Sequence, residues 1–202
     1  MPLRRSRPWF ASLCALALAP AAFATTMLEQ DVDALTKSAD AVVRARVLSS
    51  QARWTSDHAR IVTDTELEVL DAWKGRPAAR VVVMQPGGIV GELGQKVDGA
   101  AKFQPGEEVV LFLEARGDRF TVAGMAQGAF HLARSTDGKT VFARQALDEA
   151  LLLDPITRQP VSGAKTVLTL EQLKSRVAAV LAAPPTPTVT PPASTRPPLV
   201  TP

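Results

Sequence analysis

Hydrophobic and polar residues alternate with a period of two along much of the middle of this chain, which is the spacing of β-strands with one buried face. The clearest example is residues 61–70. One face of this segment carries Ile61, Thr63, Thr65, Leu67 and Val69, and the other carries Val62, Asp64, Glu66 and Glu68. The first face is mostly apolar, so we expect it to meet the core while the acidic face meets water.

Further strand-like segments are separated by turn residues such as Asp137-Gly138. They cover residues 41–48, 81–84, 109–113, 120–123, 129–133 and 140–143. The segment VVLFL at 109–113 is continuously apolar, which indicates a strand buried on both faces. About seven short strands are typical of an all-β barrel or sandwich. Residues 150–153 fit either a strand or a helix.

Two helices are predicted at the ends of this β-rich region. Leu28, Val32 and Leu35 recur at helical spacing before the first strand. Near the other end, Thr169 and Gln172 have the spacing of a capping box. The apolar stripe that follows consists of Leu170, Leu173, Val177, Val180 and Leu181. We expect this stripe to pack on an open face or mouth of the barrel.

The N-terminus has the organisation of a secretory signal. Arg4, Arg5 and Arg7 precede an apolar stretch at 9–19, and Ala22-Phe23-Ala24 places small residues at the two positions that a signal peptidase reads. This pattern predicts a signal peptide at 1–24 and an exported protein. A membrane anchor is the alternative, but the apolar stretch is about half of the ~20 residues that a spanning helix needs.

A lipoprotein signal is a further alternative, because Cys14 lies in the apolar stretch. The residue before it is Leu13, which is bulky where such a signal has a small side chain. Cleavage after Ala24 would remove this cysteine, the only one in the chain. The mature protein would then have no disulfide, thiol nucleophile or cysteine-ligated metal.

Cleavage also changes the charge of the protein. The whole chain has 23 basic and 20 acidic residues, and three of the arginines lie before Ala24. The mature chain therefore has 20 of each and no net charge. Nucleic-acid binding would need a clustered basic surface on the mature domain, so we predict no nucleic-acid partner.

The C-terminal segment 184–202 contains eight prolines and one charged residue. Proline fixes φ and lacks an N–H donor, so the segment can neither pair in a sheet nor continue a helix. We divide the chain into a signal peptide at 1–24, a β-barrel domain with flanking helices at 25–182 and a Pro/Thr-rich disordered tail at 183–202.

No catalytic constellation is recognisable in the sequence. The two histidines are His58, in a polar loop, and His131, on a predicted strand. No paired-histidine metal motif and no G-x-S-x-G motif occurs, so we predict no catalytic residue, metal or cofactor. A hydrolase whose site is dispersed along the sequence is an alternative, and it would need one of these histidines.

A row of carboxylates on the second predicted strand has two interpretations. Paired carboxylates can perform acid–base chemistry or bind calcium. The ordinary interpretation is a solvated strand face whose acids pair with arginines of the neighbouring strand, such as Arg44 and Arg46.

The glycine-rich stretch 87–106 is the candidate binding loop, because loops on rigid scaffolds often carry function. It is not a phosphate-binding loop, since it lacks the lysine that would meet the phosphates. The candidate binding residues are Gly87, Gly88, Ile89, Val90, Gly91 and Leu93, and we expect Ile89 and Val90 to form an exposed apolar pair. The alternative is a β-hairpin or bulge that packs on the barrel.

The order of several short segments resembles a group of uncharacterised exported bacterial proteins and, more remotely, netrin-like modules that include the tissue inhibitors of metalloproteinases. The segments are ADAVVRARVLS at 39–49, VLDAWKG at 69–75, PGEEVVLFLE at 105–114 and GMAQGAFHL at 124–132. The resemblance implies an OB-type five-stranded barrel with helices against it. Those inhibitors place an N-terminal cysteine on the protease zinc, whereas this mature chain would begin Thr25-Thr26.

We therefore predict an all-β, OB-like small β-barrel of five to seven strands with an N-terminal and a C-terminal helix. The predicted function is an exported, non-enzymatic binding domain whose partner is a protein, with a secreted protease as one candidate. The partner would bind the 87–106 loop and the nearby barrel rim. Besides the dispersed-site hydrolase, the alternative is an envelope structural protein anchored by its tail.

Overall fold

The computed structural model describes residues 26–147, 151–154, 156–161 and 166–184. The predicted signal peptide lies outside these residues, as does all of the predicted tail beyond Pro184. The described part of the chain is mostly β, with two α-helices and one short 3₁₀ turn at Met125–Gly128.

Thirteen strands and two helices follow one another along the described residues. Their order is β1 (Thr26–Leu28), α1 (Val32–Ser38), β2 (Ala41–Trp54), β3 (Ile61–Lys74), β4 (Arg80–Pro86), β5 (Gly88–Val90), β6 (Leu93–Gln95), β7 (Glu108–Arg116), β8 (Arg119–Val122), β9 (Ala129–Arg134), β10 (Val141–Gln145), β11 (Leu151–Leu153), β12 (Pro160–Val161), β13 (Val167–Thr169) and α2 (Leu170–Ala182). All seven strand segments predicted from the alternation pattern lie in or overlap these strands.

Five of the strands pair in a closed circuit. Strand β2 pairs antiparallel with both β3 and β7, β3 pairs with β4, and β7 pairs with β8. The circuit closes where β4 and β8 meet in parallel, through the single residue pair Val83 and Phe120. Strands β9, β10 and β13 extend the same sheet beyond β7.

The main core lies between the strands of the circuit and is built by alternate residues. Its members from β2, β3, β4 and β7 are Ala41, Val43, Ala45, Val47, Leu67, Val81, Val83, Val109, Leu111 and Leu113. On β3, Ile61, Thr65 and Leu67 are buried, as the alternation predicts. Val62, assigned to the solvent-facing side, is buried too.

Strand β7 is buried on both faces, which confirms the expectation for the VVLFL segment. Val110 and Phe112 face away from the main core and join a second core that includes both helices. The capping box of α2 is confirmed, and its Leu170, Leu173 and Val177 are buried. The helix packs against α1 and this outer sheet face, whereas Leu181 at the end of its stripe is exposed.

The N-terminal helix is shorter than its periodicity suggests. It begins at Val32, with the Asp31 side chain accepting a hydrogen bond from Ala34 N, and Leu28 lies instead in strand β1. This strand pairs in parallel with β11. Residues 151–153, which fit either a strand or a helix by sequence, therefore form a strand. The pairing joins segments that are more than 100 residues apart, so local periodicity cannot reveal it.

Candidate ligand-binding site

Part of the glycine-rich stretch folds as a β-hairpin made of strands β5 and β6. Ile89 faces Gly94, and Val90 faces Leu93, across a two-residue loop. The loop begins with Gly91 at φ 61°, and positive φ at this position is typical of the tight turns that join hairpin strands. The sequence alternative of a hairpin is therefore the observed backbone, and the binding role of the stretch stays a prediction.

Two glycines let the hairpin lie directly on the strand circuit. A Cβ added to Gly88 would lie 2.6 Å from Thr63 Oγ1 and 2.7 Å from the Ala52 Cβ, and the φ of Gly88 is 140°. A Cβ added to Gly87 would lie 2.7 Å from the Gln95 carbonyl oxygen. These contacts explain why two consecutive glycines follow β4.

Three hydrogen bonds fasten the base of the hairpin to the start of β3. Gly87 N donates to Ile61 O at 2.8 Å, and Thr63 Oγ1 donates to Gly87 O at 2.7 Å. Ile61 N donates to the side-chain Oε1 of Gln95 at 2.7 Å. The hairpin is thus held at its base by β3 while its turn carries no such anchor among the described residues.

The far end of the hairpin exposes two aliphatic side chains. Ile89 is 73 % exposed and Leu93 is 60 % exposed, whereas Val90 is half-buried. The register places Ile89 and Leu93 on opposite faces of the hairpin, because successive strand residues point to opposite sides. Each face of the hairpin therefore presents one exposed aliphatic side chain.

A cavity of about 510 Å³ lies between the hairpin, the segment 96–103 and the adjoining ends of β2, β3 and β4. Its apolar wall includes Ile89, Val97 and Phe103. Of the six candidate residues, Gly87, Gly88 and Ile89 line the cavity, and Val90, Gly91 and Leu93 do not.

Three polar side chains of the lining, Ser50, Thr65 and Gln85, come from β2, β3 and β4, and we call them the cavity floor. Ser50 Oγ and Thr65 Oγ1 lie 3.0 Å apart and share a hydrogen bond. Gln85 also lines the cavity, is 6 % exposed, and has no side-chain hydrogen bond to another described residue. Gln85 continues the core-facing alternation of Val81 and Val83 and is not among the six candidate residues. A polar residue at the end of such an apolar series was the available signal.

Two lysines, Lys96 and Lys102, stand among the residues that line the cavity, and no carboxylate does. Lys96 Nζ lies 3.1 Å from Asp98 Oδ1, just outside this lining.

The carboxylates of β3 pair across strands, as the ordinary interpretation predicts. Asp64 pairs with Arg53 at 2.8 Å, and Glu66 and Glu68 lie 3.5 Å from arginines of β4 and β2. Hydrogen bonding to Asp64, followed by its charge, raises the pKa of Arg53. The described residues contain no group of three or more ligating side chains arranged to hold a metal ion.

Arg44, the other arginine expected to pair with this row, instead binds Glu108 on β7 at 2.6 Å. That hydrogen bond holds the pKa of Glu108 below its usual value, against a smaller opposing effect of burial.

The two histidines lie in different parts of the described structure. His58 lies in the β2–β3 turn with φ 53°, and its backbone N–H donates to Thr55 O. His131 on β9 contacts Glu107 Oε2 through Nδ1 at 3.1 Å. No described serine or threonine hydroxyl is hydrogen-bonded to either ring, so the dispersed-site hydrolase gains no support from these contacts.

No protein-family model and no curated protein sequence matches this chain. Among the described residues, neither helix has the length and apolar character needed to cross a bilayer. The functional argument therefore depends on the hairpin and the cavity beneath it.

Proposed function

We propose that this chain is an exported, non-enzymatic binding domain that contacts a protein partner with the far end of the β5–β6 hairpin. The observation that carries the proposal is the exposure of Ile89 and Leu93 on a hairpin that is anchored at its base. Their positions on opposite faces suit a hairpin end that inserts into a partner's cleft. A secreted protease is one candidate for that partner.

The anchoring supports a binding role because it reduces the entropy cost of association. A free loop would lose conformational freedom when it bound, whereas this hairpin is already ordered by Gly87, Gly88 and the Gln95 side chain. The two exposed side chains can therefore act as anchors with little reorganisation.

We further propose that the strand circuit is an OB-type barrel, as in the netrin-like modules that the sequence resembles. We number the strands of the circuit one to five in chain order, which gives β2, β3, β4, β7 and β8. Around the circuit their order is then 1-2-3-5-4, and strand 4 pairs again with strand 1. The five-stranded, partly open Greek-key arrangement of OB folds supports this proposal. In that scheme the hairpin belongs to the connection between strands three and four.

Export of the protein is part of the same proposal, and the signal-like pattern at 1–24 supports it. A partner would then be met outside the cytoplasm. The predicted net charge of zero for the mature chain agrees with a contact that is driven by apolar burial and not by charge.

Site-specific photo-cross-linking of the full chain in living bacteria tests this function. A photoreactive amino acid replaces Ile89 or Leu93 in separate variants, and the control variant carries it at Ile156, which is 89 % exposed in the β11–β12 turn. We expect the same partner protein to be cross-linked from 89 and from 93 and not from 156. Equal cross-linking from all three positions, or none from a folded protein, would contradict the proposed function.

A further inference from the structure

Three glutamines are buried among the described residues, and Gln85 differs from Gln127 and Gln145, whose side-chain amides are hydrogen-bonded. The Gln127 amide accepts from Gln30 N at 2.7 Å and donates to Leu28 O at 2.9 Å. Gln85 is 6 % exposed, lines the cavity and has no side-chain hydrogen bond to another described residue. A polar side chain that lines a cavity and has no partner within the described chain can pair with a ligand or with water that enters the cavity.

The hydroxyl side chains of β2 and β3 that line the cavity with Gln85 are already hydrogen-bonded to each other or to the hairpin. Gln85 stands opposite Thr63 in the β3–β4 register, but the Thr63 hydroxyl already donates to Gly87 O. Ser50 and Thr65 share one hydrogen bond, and a hydroxyl pair of this kind keeps one O–H to donate. The cavity floor therefore offers the donor and acceptor of Gln85 and a nearby hydroxyl donor.

The chemistry of these groups selects among ligand classes. The Gln85 amide presents an acceptor and two donors in one plane, and the group that satisfies it best is another amide, which has a donor beside an acceptor. A carboxylate would leave the Gln85 carbonyl unpaired, and the cavity lining has no carboxylate to hold a cation. Val97 and Phe103 form an apolar wall for the remainder of the ligand.

We propose that this cavity binds a small neutral ligand through an amide group that pairs with Gln85, while an aliphatic portion lies against Val97 and Phe103. Its volume of about 510 Å³ lies within the range of small-molecule sites. The proposal is independent of the protein-binding function, because it does not require the exposed far end of the hairpin.

The test is an NMR titration of the isotopically labelled protein with 4-methylpentanamide. Two analogues of the same shape serve as comparisons, namely 5-methylhexan-2-one, in which a methyl group replaces the amide nitrogen, and the anion 4-methylpentanoate. We expect saturable shifts of the Gln85 side-chain NH₂ signals with the amide, and binding weaker by about tenfold or more with both analogues. Equal binding of all three compounds would overturn the proposal, as would the absence of saturable shifts, which would leave water as the occupant.

Two matched variants test whether Gln85 is the residue that binds the amide. Gln85→Met keeps the length of the side chain and removes the amide, and Gln51→Met makes the same change at an exposed position of β2. We expect amide binding to be lost in the first variant and unchanged in the second. Unchanged binding by Gln85→Met, with a folded spectrum, would refute the assignment.

The same titration distinguishes an amide of a small molecule from an amide of a peptide. It also distinguishes the ligand site in the cavity from the proposed protein-binding site on the hairpin. A capped tripeptide with a central leucine supplies the amide as part of a polypeptide, and it competes with the small amide only if the ligand is a peptide segment. The variant Leu93→Ser, at an exposed hairpin residue that does not line the cavity, should keep amide binding even where the protein partner is lost. Loss of amide binding in that folded variant would contradict a site formed by the cavity floor.

Discussion

The Gln127 side chain accepts a hydrogen bond from the backbone N–H of Gln30, at 2.7 Å, although 97 residues separate the two along the chain. Together with its bond to Leu28 O, this contact fastens the segment between β1 and α1 to the 3₁₀ turn. Replacing Gln127 with Met would leave a backbone donor and a backbone acceptor without partners.

We therefore expect Gln127→Met to lower the free energy of unfolding by about 2–4 kcal/mol. The Gln85→Met variant is the matched comparison, because it removes an amide that has no partner among the described residues. It should leave the free energy of unfolding unchanged or raise it. Urea unfolding of both variants measures the difference, and equal losses would contradict the contrast between the two glutamines.

Gly88→Ala tests the seating of the hairpin. The added methyl group would collide with Thr63 Oγ1 and the Ala52 Cβ at a φ that alanine rarely adopts. We expect a loss of about 2 kcal/mol or more of unfolding free energy. Gly94→Ala is the control within the same hairpin, since its Cβ would meet only Ile89 Cγ1 at 3.7 Å. A larger loss of unfolding free energy for Gly94→Ala than for Gly88→Ala would contradict the close packing of Gly88 against Thr63 and Ala52.

Lys74 stabilises the C-terminal end of α1. Its ammonium donates to the carbonyl oxygens of Thr36, Lys37 and Ala39, where the helix leaves acceptors unpaired. We expect Lys74→Met to lower the free energy of unfolding by about 1–3 kcal/mol, which thermal or urea unfolding would measure. The exposed Lys139→Met is the control and should change it by less than about 0.5 kcal/mol.

The Arg44–Glu108 pair gives a pH-dependent contribution to stability. Because Arg44 lowers the pKa of Glu108 in the folded state, the stabilisation is fully present above the ordinary value of 4.5. It is lost as the pH falls from that value through the lowered folded-state pKa.

A double-mutant cycle of Arg44→Met and Glu108→Gln, measured by urea unfolding at several pH values, should therefore give a coupling energy at pH 7 that fades below about pH 4.5. A coupling energy that stays constant down to pH 2, or that grows as the pH falls, would contradict this assignment.

The elements that the sequence predicts correctly are those with local causes. The run 109–113 is buried on both faces because it carries no polar side chain, and α2 begins where Thr169 can cap Gln172. The start of α1 was placed too early because Leu28 has helical spacing but pairs with the distant strand β11. Such pairing depends on the whole fold and leaves no periodic signal.

The candidate site was predictable in part. Two consecutive glycines predict a loop with an unusual backbone conformation. Three of the six candidate binding residues line the cavity. The polar floor was missed because Ser50, Thr65 and Gln85 come from three strands, and their meeting depends on register. The partial burial of Val90 also depends on packing against the strand circuit, so Leu93 and not Val90 accompanies Ile89 as an exposed anchor.

The most direct test of the protein-binding function is the affinity of the cross-linked partner for the parent protein and for Ile89→Ser with Leu93→Ser. The control is Ile156→Ser, which removes an exposed aliphatic side chain elsewhere. We predict that the double variant binds the partner about 30-fold more weakly or worse, and that the control binds as the parent does. Equal affinity of the parent and a folded double variant would contradict a binding site at the end of the hairpin.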